Sequence, residues 1–184
     1  VTVRGPRGND VEVTFLEVAG TAYVESAQAC GLHLADPPDP LHSSTYGVGQ
    51  LISAALDRGV RTIVVGLGGS ATNDGGAGLL AALGVTADRP LDGGPAGLDG
   101  VTSADLSVAR ERLRGTEVVI AADVDVTLLG MFGATKTFGP QKGLTEPEII
   151  RVDGILDQWV VATCGSTPAE RRPARSALTV VDRQ

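Results

Sequence analysis

Apolar and polar residues alternate at the start of the chain. Val1-Thr-Val-Arg and Val11-Glu-Val-Thr-Phe-Leu-Glu-Val both keep a period of two, with Gly5-Pro-Arg-Gly-Asn-Asp between them. That pattern predicts a hairpin with one wet face. Thr21-Ala-Tyr-Val predicts a third short strand. Residues 25–30 predict a short helix stopped by Gly31. Pro37, Pro38 and Pro40 keep residues 32–41 out of helix. Ser43-Ser-Thr is a helix-start cluster, and Val48, Leu51, Ile52 and Leu56 then share one helical face that Gly59 closes. The run Val60-Arg-Thr-Ile-Val-Val predicts a buried strand, and residues 77–83 a helix after it. Residues 88–97 read as a surface excursion and 104–113 as a short outer helix. Thr116-Glu-Val-Val-Ile-Ala predicts a second buried strand. Thr145-Glu-Pro-Glu starts a helix through about residue 162, with proline and acids in the first turn and Ile149, Val152, Leu156, Trp159 and Val160 on its apolar side. The fold class expected is α/β: a mixed or parallel sheet with flanking helices and an N-terminal β-hairpin. Residues 1–163 form the α/β region, and residues 164–184 an arginine-rich tail expected to be poorly ordered.

Composition narrows the function classes. With 184 residues, 42% hydrophobic and only 3% aromatic, the core must be aliphatic. A net charge of −7 argues against non-specific nucleic-acid binding but not against a locally held phosphate. No apolar run reaches the length of a membrane span, and the first residues have no signal-peptide layout, so the cytoplasm is the expected location. Cys30 and Cys164 match no metal or redox spacing and read as small buried or half-buried thiols in a reducing compartment. His33 and His42 have no ligand-spaced partner and read as surface residues.

Chemistry concentrates in three places. The first is Gly66-Leu-Gly-Gly-Ser-Ala-Thr-Asn-Asp-Gly-Gly-Ala-Gly, between a strand and a helix. Strand, glycine loop and helix point backbone N–H groups at an anion, and glycine lets that anion approach the main chain. Among the glycines, Ser70, Thr72, Asn73 and Asp74 can donate to oxygens, accept from a hydroxyl or hold a metal. A capped helix start is the plainer alternative; the five glycines ahead of the helix, with four small polar residues, favour a ligand site. The second place is Asp123 and Asp125, just past a strand's C-terminal end, where α/β folds hold ligands and metals. Turn-forming carboxylates would look the same. The third is Lys142 in Phe138-Gly-Pro-Gln-Lys-Gly, an ammonium that could stand beside a phosphate or simply sit on an exposed loop. No Walker A signature occurs anywhere.

Three blocks together carry a resemblance: Thr45-Tyr-Gly-Val-Gly-Gln-Leu-Ile, then Gly68-Gly-Ser-Ala-Thr-Asn-Asp-Gly-Gly-Ala-Gly, then Ala122-Asp-Val-Asp followed by Phe138-Gly-Pro-Gln-Lys-Gly. In that order, over residues 1–156, the chain resembles the bacterial ATP-dependent glycerate kinase family. The resemblance implies a two-domain α/β kinase that transfers a phosphoryl group from ATP, with Mg2+, to a hydroxyl of D-glycerate, with a homodimer as the candidate assembly. It implies that Gly68, Gly69, Ser70, Thr72, Asn73, Gly75 and Gly76 bind substrate or phosphate oxygens. Asp74, Asp123 and Lys142 are the implied catalytic residues, and Asp123 and Asp125 the implied metal ligands. The family's Pro-Asp-Ser-Phe-Lys-Gly block and its glycine- and alanine-rich block have no counterpart here, and Asp125-Val-Thr-Leu stands where Asn and Pro are usual. A second expectation follows: a folded unit that binds a small carboxylate or phosphate without turnover. A dinucleotide-binding domain ranks third, because Ala71 stands where the fingerprint needs its last glycine.

Overall fold

A computed structural model describes residues 1–165. Strands β1 (Thr2–Arg4) and β2 (Asp10–Glu12) form the expected antiparallel hairpin, with Val3 opposite Val11. The alternating run does not continue as one strand. Val13 is buried and its N–H bonds back to Val1 O, and the Thr14 N–H turns to Gln28 Oε1. The chain then re-emerges as β3 (Leu16–Val18), which pairs with β4 (Thr21–Glu25) instead. Ala19 and Gly20 both have positive φ, the geometry of a two-residue turn that matches strand twist.

The main sheet has four strands in the order β3-β4-β5-β8, with β5 at Thr62–Leu67 and β8 at Glu117–Ala122. The β4–β5 and β5–β8 pairs are parallel. Ala22 and Val24 of β4 and Ile63 and Val65 of β5 point to one face and are buried. That face packs on α1 (Ala27–Cys30), on α2 (Tyr46–Asp57) through Val48, Leu51, Ile52 and Ala55, and on α7 (Glu146–Cys164) through Ile155 and Trp159. β8 is half-buried rather than buried, because it is the edge strand and its other face is open.

α3 (Ala77–Ala82) follows the glycine loop and lies against α2. The two axes approach closely because both helices carry glycine at the crossing: a Cβ on Gly49 would meet Leu79 O at 2.3 Å, and one on Gly78 would meet Ser44 Oγ at 2.1 Å. Residues 88–97 are not a free excursion. They end in α4 (Gly94–Gly97), and Leu91, Pro95 and Leu98 are buried. A short ribbon, β6 (Thr86–Ala87) with β7 (Ala104–Asp105), and α5 (Ser107–Arg112) lead into β8. α6 (Ala134–Lys142) and α7 complete the described residues. α7 starts as its sequence predicts: the Thr145 N–H and hydroxyl both donate to Glu148 Oε2, with Pro147 in the first turn. The expectations for residues 166–184 lie outside the described residues.

Candidate active site

The parallel strands β4, β5 and β8 end together, with Glu25, Gly66 and Ala121 in register. Ligands of α/β folds bind at such an edge. There, Leu67, Gly68, Gly69, Ser70, Asp123, Val124, Phe138, Gln141 and Lys142 line a cleft of about 300 Å³. The glycine loop, the β8 carboxylate and the α6 ammonium, far apart in sequence, therefore meet.

The loop divides in two. Its first part faces the cleft. A Cβ on Gly68 would have nothing within 4 Å, so the chain's own packing does not require glycine there. Gly69 has φ +61°, a conformation that favours glycine. Ser70 is half-buried, and its hydroxyl accepts from Lys142 Nζ at 3.1 Å.

The second part turns inward. Thr72, Asn73, Asp74, Gly75 and Gly76 are not part of the cleft lining. The Thr72 carbonyl accepts from Lys142 Nζ at 2.5 Å, and its hydroxyl donates to Cys30 Sγ at 3.9 Å. Asn73 Nδ2 donates to Thr135 Oγ1, the buried hydroxyl at the start of α6. The Gly75 carbonyl accepts from Trp159 Nε1 at 3.2 Å. Asp74 is 1% exposed. Its Oδ2 accepts from the Thr45 N–H, the Thr45 hydroxyl and the Gly78 N–H, and its Oδ1 from the Gly76 N–H. Thr45, the first residue before α2, spends its hydroxyl here and on the Leu79 N–H rather than capping its own helix. The Thr-Tyr-Gly-Val-Gly block thus couples helix to loop; it does not face the cleft.

Lys142 sits in the last turn of a helix, not on an exposed loop. Gly143, with φ +100°, ends that helix, and Pro140 is tolerated inside it. Burial pushes the Lys142 ammonium below its ordinary value, and the nearby Cys30 and Asp74 pull it partly back. Burial raises the Asp74 carboxyl, and the hydrogen bonds from Thr45, Gly78 and Gly76 oppose the rise. Burial also pushes the Cys30 thiol up to about 11, so Cys30 is a packing residue.

Asp123 lines the cleft, whereas Asp125 is exposed and outside the lining. Among the described residues no three His, Cys, Asp or Glu side chains group as a metal cage. His33 and His42 are both exposed, at the surface positions expected of them, and His42 Nδ1 contacts Asp39 Oδ1 at 2.9 Å. Sequence reasoning missed Glu25, Phe138 and Gln141. Glu25 and Asp123 flank an adjoining hollow of about 320 Å³ lined also by Gly66, Leu67 and Gly68. Glu25 is the last residue of its strand, so the rule that singled out Asp123 would have found it. Phe138 and Gln141 carried no signal until residues 134–142 were known to be helical.

A model of the glycerate kinase family matches residues 1–176. The chain belongs to the glycerate kinase family. It is 47% identical to the glycerate kinase of Bacillus subtilis over 169 residues, covering 86% of this chain and 42% of that protein. It is 39% identical to the glycerate 2-kinase of Escherichia coli over 166 residues, 85% of this chain and 43% of the relative. The crystal structure of a protein described as glycerate kinase 2 from Salmonella typhimurium LT2 superposes with a TM-score of 0.84 at 39% identity, covering 90% of this chain and 48% of that one. The chain therefore spans slightly less than half the length of these relatives. Among the described residues no helix is long and apolar enough to cross a membrane.

Proposed function

We propose that this chain carries the site of an ATP-dependent glycerate kinase that converts D-glycerate and ATP to phosphoglycerate and ADP in the cytoplasm. The observation that supports it is the convergence of Gly68, Gly69, Ser70, Asp123 and Lys142 on one cleft at the ends of parallel strands. Phosphoryl transfer needs donors for oxyanions, a cation to offset charge and a group to orient the attacking hydroxyl. In this reading Gly68, Gly69 and Ser70 hold carboxylate or phosphate oxygens. Lys142, already placed by Ser70 and Thr72, offsets phosphate charge. Asp123 orients the glycerate hydroxyl or holds Mg2+, with Asp125 as the second candidate ligand. Mg2+ keeps most of its waters and uses one or two protein carboxylates plus phosphate oxygens, so a lone Asp123 at the cleft fits it. When bound, that metal would neutralise charge on the transferring group. Thr72, Asn73, Asp74, Gly75 and Gly76 act by position: they hold the loop that presents Ser70.

The test is ADP release coupled to D-glycerate. Asp123→Asn and Lys142→Gln are each expected to lower turnover by about 100-fold or more. Turnover unchanged in both variants removes these assignments. A second reading is binding of a small carboxylate or phosphate without turnover. Calorimetric binding of D-glycerate with no ADP release would select it.

A further inference from the structure

Ser70 and Lys142 meet in the cleft with the spacing of a nucleophile and its base. Lys142 Nζ lies 3.1 Å from Ser70 Oγ and also donates to the Thr72 carbonyl. A protonated amine there donates to the serine hydroxyl, whereas a neutral one offers its lone pair and accepts from it. The Thr72 carbonyl holds one N–H in either state, so a third group orients the base. The serine is fixed on both sides. The Leu32 N–H donates to the Gly69 carbonyl at 2.9 Å and the Ala71 N–H to the Cys30 carbonyl at 2.8 Å, which pairs Ser70 with Gly31. Gly31 leaves no slack in this strap, since a Cβ there would meet the Ala27 carbonyl oxygen at 2.4 Å. The backbone N–H groups of Gly68, Gly69 and Ser70 find no acceptor among the described residues, and all three residues line the cleft. Nucleophile, base, orienting group and free donors are the parts that acyl transfer requires.

We propose that Ser70 and Lys142 form a serine–lysine dyad that hydrolyses activated esters of short acyl groups, a second activity of this cleft. The cleft of about 300 Å³ sets the limit on acyl length. In the first step Ser70 Oγ bonds to the ester carbonyl carbon and its proton passes to neutral Lys142 Nζ. The free N–H groups of the glycine loop hold the oxyanion. The bond to the leaving oxygen then breaks, and that oxygen takes the proton from Lys142. Water repeats the sequence on the acyl-serine and releases the acid and Ser70. Burial supports the role of base, because it already lowers Lys142 from its ordinary value. Cys30 from α1 and Asp74 from the loop face the amine and pull it partly back, and Asp123 lines the same cleft.

The test mixes the full chain with 4-nitrophenyl acetate, follows nitrophenolate release above the spontaneous rate, and maps acid-quenched samples by peptide mass. An acetyl group on Ser70 is expected, with release that climbs as pH rises toward 10.5. Ser70→Ala is expected to lose the adduct, and Lys142→Gln to slow acetylation of Ser70 by about 100-fold. Lys136 is the only other lysine and Cys164 the exposed thiol, so both report ordinary surface reactivity in the same sample. Acetyl on Lys142, Lys136 or Cys164 without acetyl on Ser70 overturns the dyad. So does release that Ser70→Ala leaves unchanged, or Ser70 acetylation that is as fast in Lys142→Gln as in the parent. Mapping the adduct in the parent chain decides the point even where a variant fails to fold. The assay contains neither nucleotide nor glycerate, so its failure leaves the kinase reading standing, and a chain silent toward D-glycerate leaves the dyad standing.

Discussion

Asp74 accepts four hydrogen bonds and is 1% exposed, so its removal strands four donors at once. Leaving a buried donor without its acceptor costs about 1–3 kcal/mol. Asp74→Ala is therefore expected to lower stability by at least that amount in a denaturant titration, whereas Asp74→Asn keeps one accepting oxygen and is expected to lose less. Equal losses would argue that Oδ1 and its Gly76 bond matter as much as Oδ2. Cys30 makes a simpler case. Its thiol is 1% exposed and pushed up to about 11 by burial, while Cys164 is exposed. At pH 8 a thiol reagent is expected to label Cys164 quickly and Cys30 only after unfolding. Rapid labelling of both would show that the loop opens more readily than its bonds suggest.

At the scale of elements, α6 is held to the glycine loop through Lys142 at its C-terminal end and Thr135 at its start. The sign of its pH response follows from burial. Lys142 lies below its ordinary value of 10.5 in the fold. Between those two values the unfolded chain binds the extra proton, so folding stability gains from this group as pH rises through the window. Anion binding runs the other way, because the neutral amine no longer attracts a carboxylate or phosphate. Affinity for D-glycerate is thus expected to fall at alkaline pH below 10.5, and Lys142→Gln to bind weakly with a flat profile. A pH-independent affinity in the parent would remove Lys142 from the binding role. This helix also shows where sequence ran out. Residues 46–57, 62–67 and 146–164 were legible because apolar spacing marks all three and a capping box opens the last. Phe138-Gly-Pro-Gln-Lys-Gly reads as a loop because glycine and proline break helices locally, and only packing on α7 overrides that. In the site, Gly68 and Asp74 belong to one run of small residues, and residue type alone does not separate cleft from interior. Thr45, Gly78 and the helix crossing decide it, and those contacts are long-range.

Over the whole molecule, the glycine loop is the point where separately packed parts join. Thr45 ties it to α2, Thr135 and Lys142 to α6, and Trp159 to α7. Trp159 is the only tryptophan, is 2% exposed and donates to the Gly75 carbonyl, so its emission reports on the back of the loop whose front lines the cleft. A ligand that settles on Gly68, Gly69 and Ser70 stabilises the folded state by about 2.7 kcal/mol at one hundred times its Kd. For a chain of this size that corresponds to a Tm rise of roughly 5–11 °C. D-glycerate is expected to produce that rise and to shift Trp159 emission over the same concentration range. Trp159→Phe is expected to keep the thermal shift with a lower baseline stability, about 1 kcal/mol less for the lost hydrogen bond. Saturating D-glycerate that moves neither Tm nor emission would place its site away from this loop. A thermal shift without an emission change would confine the response to the cleft side and show that the inward half of the loop is rigid.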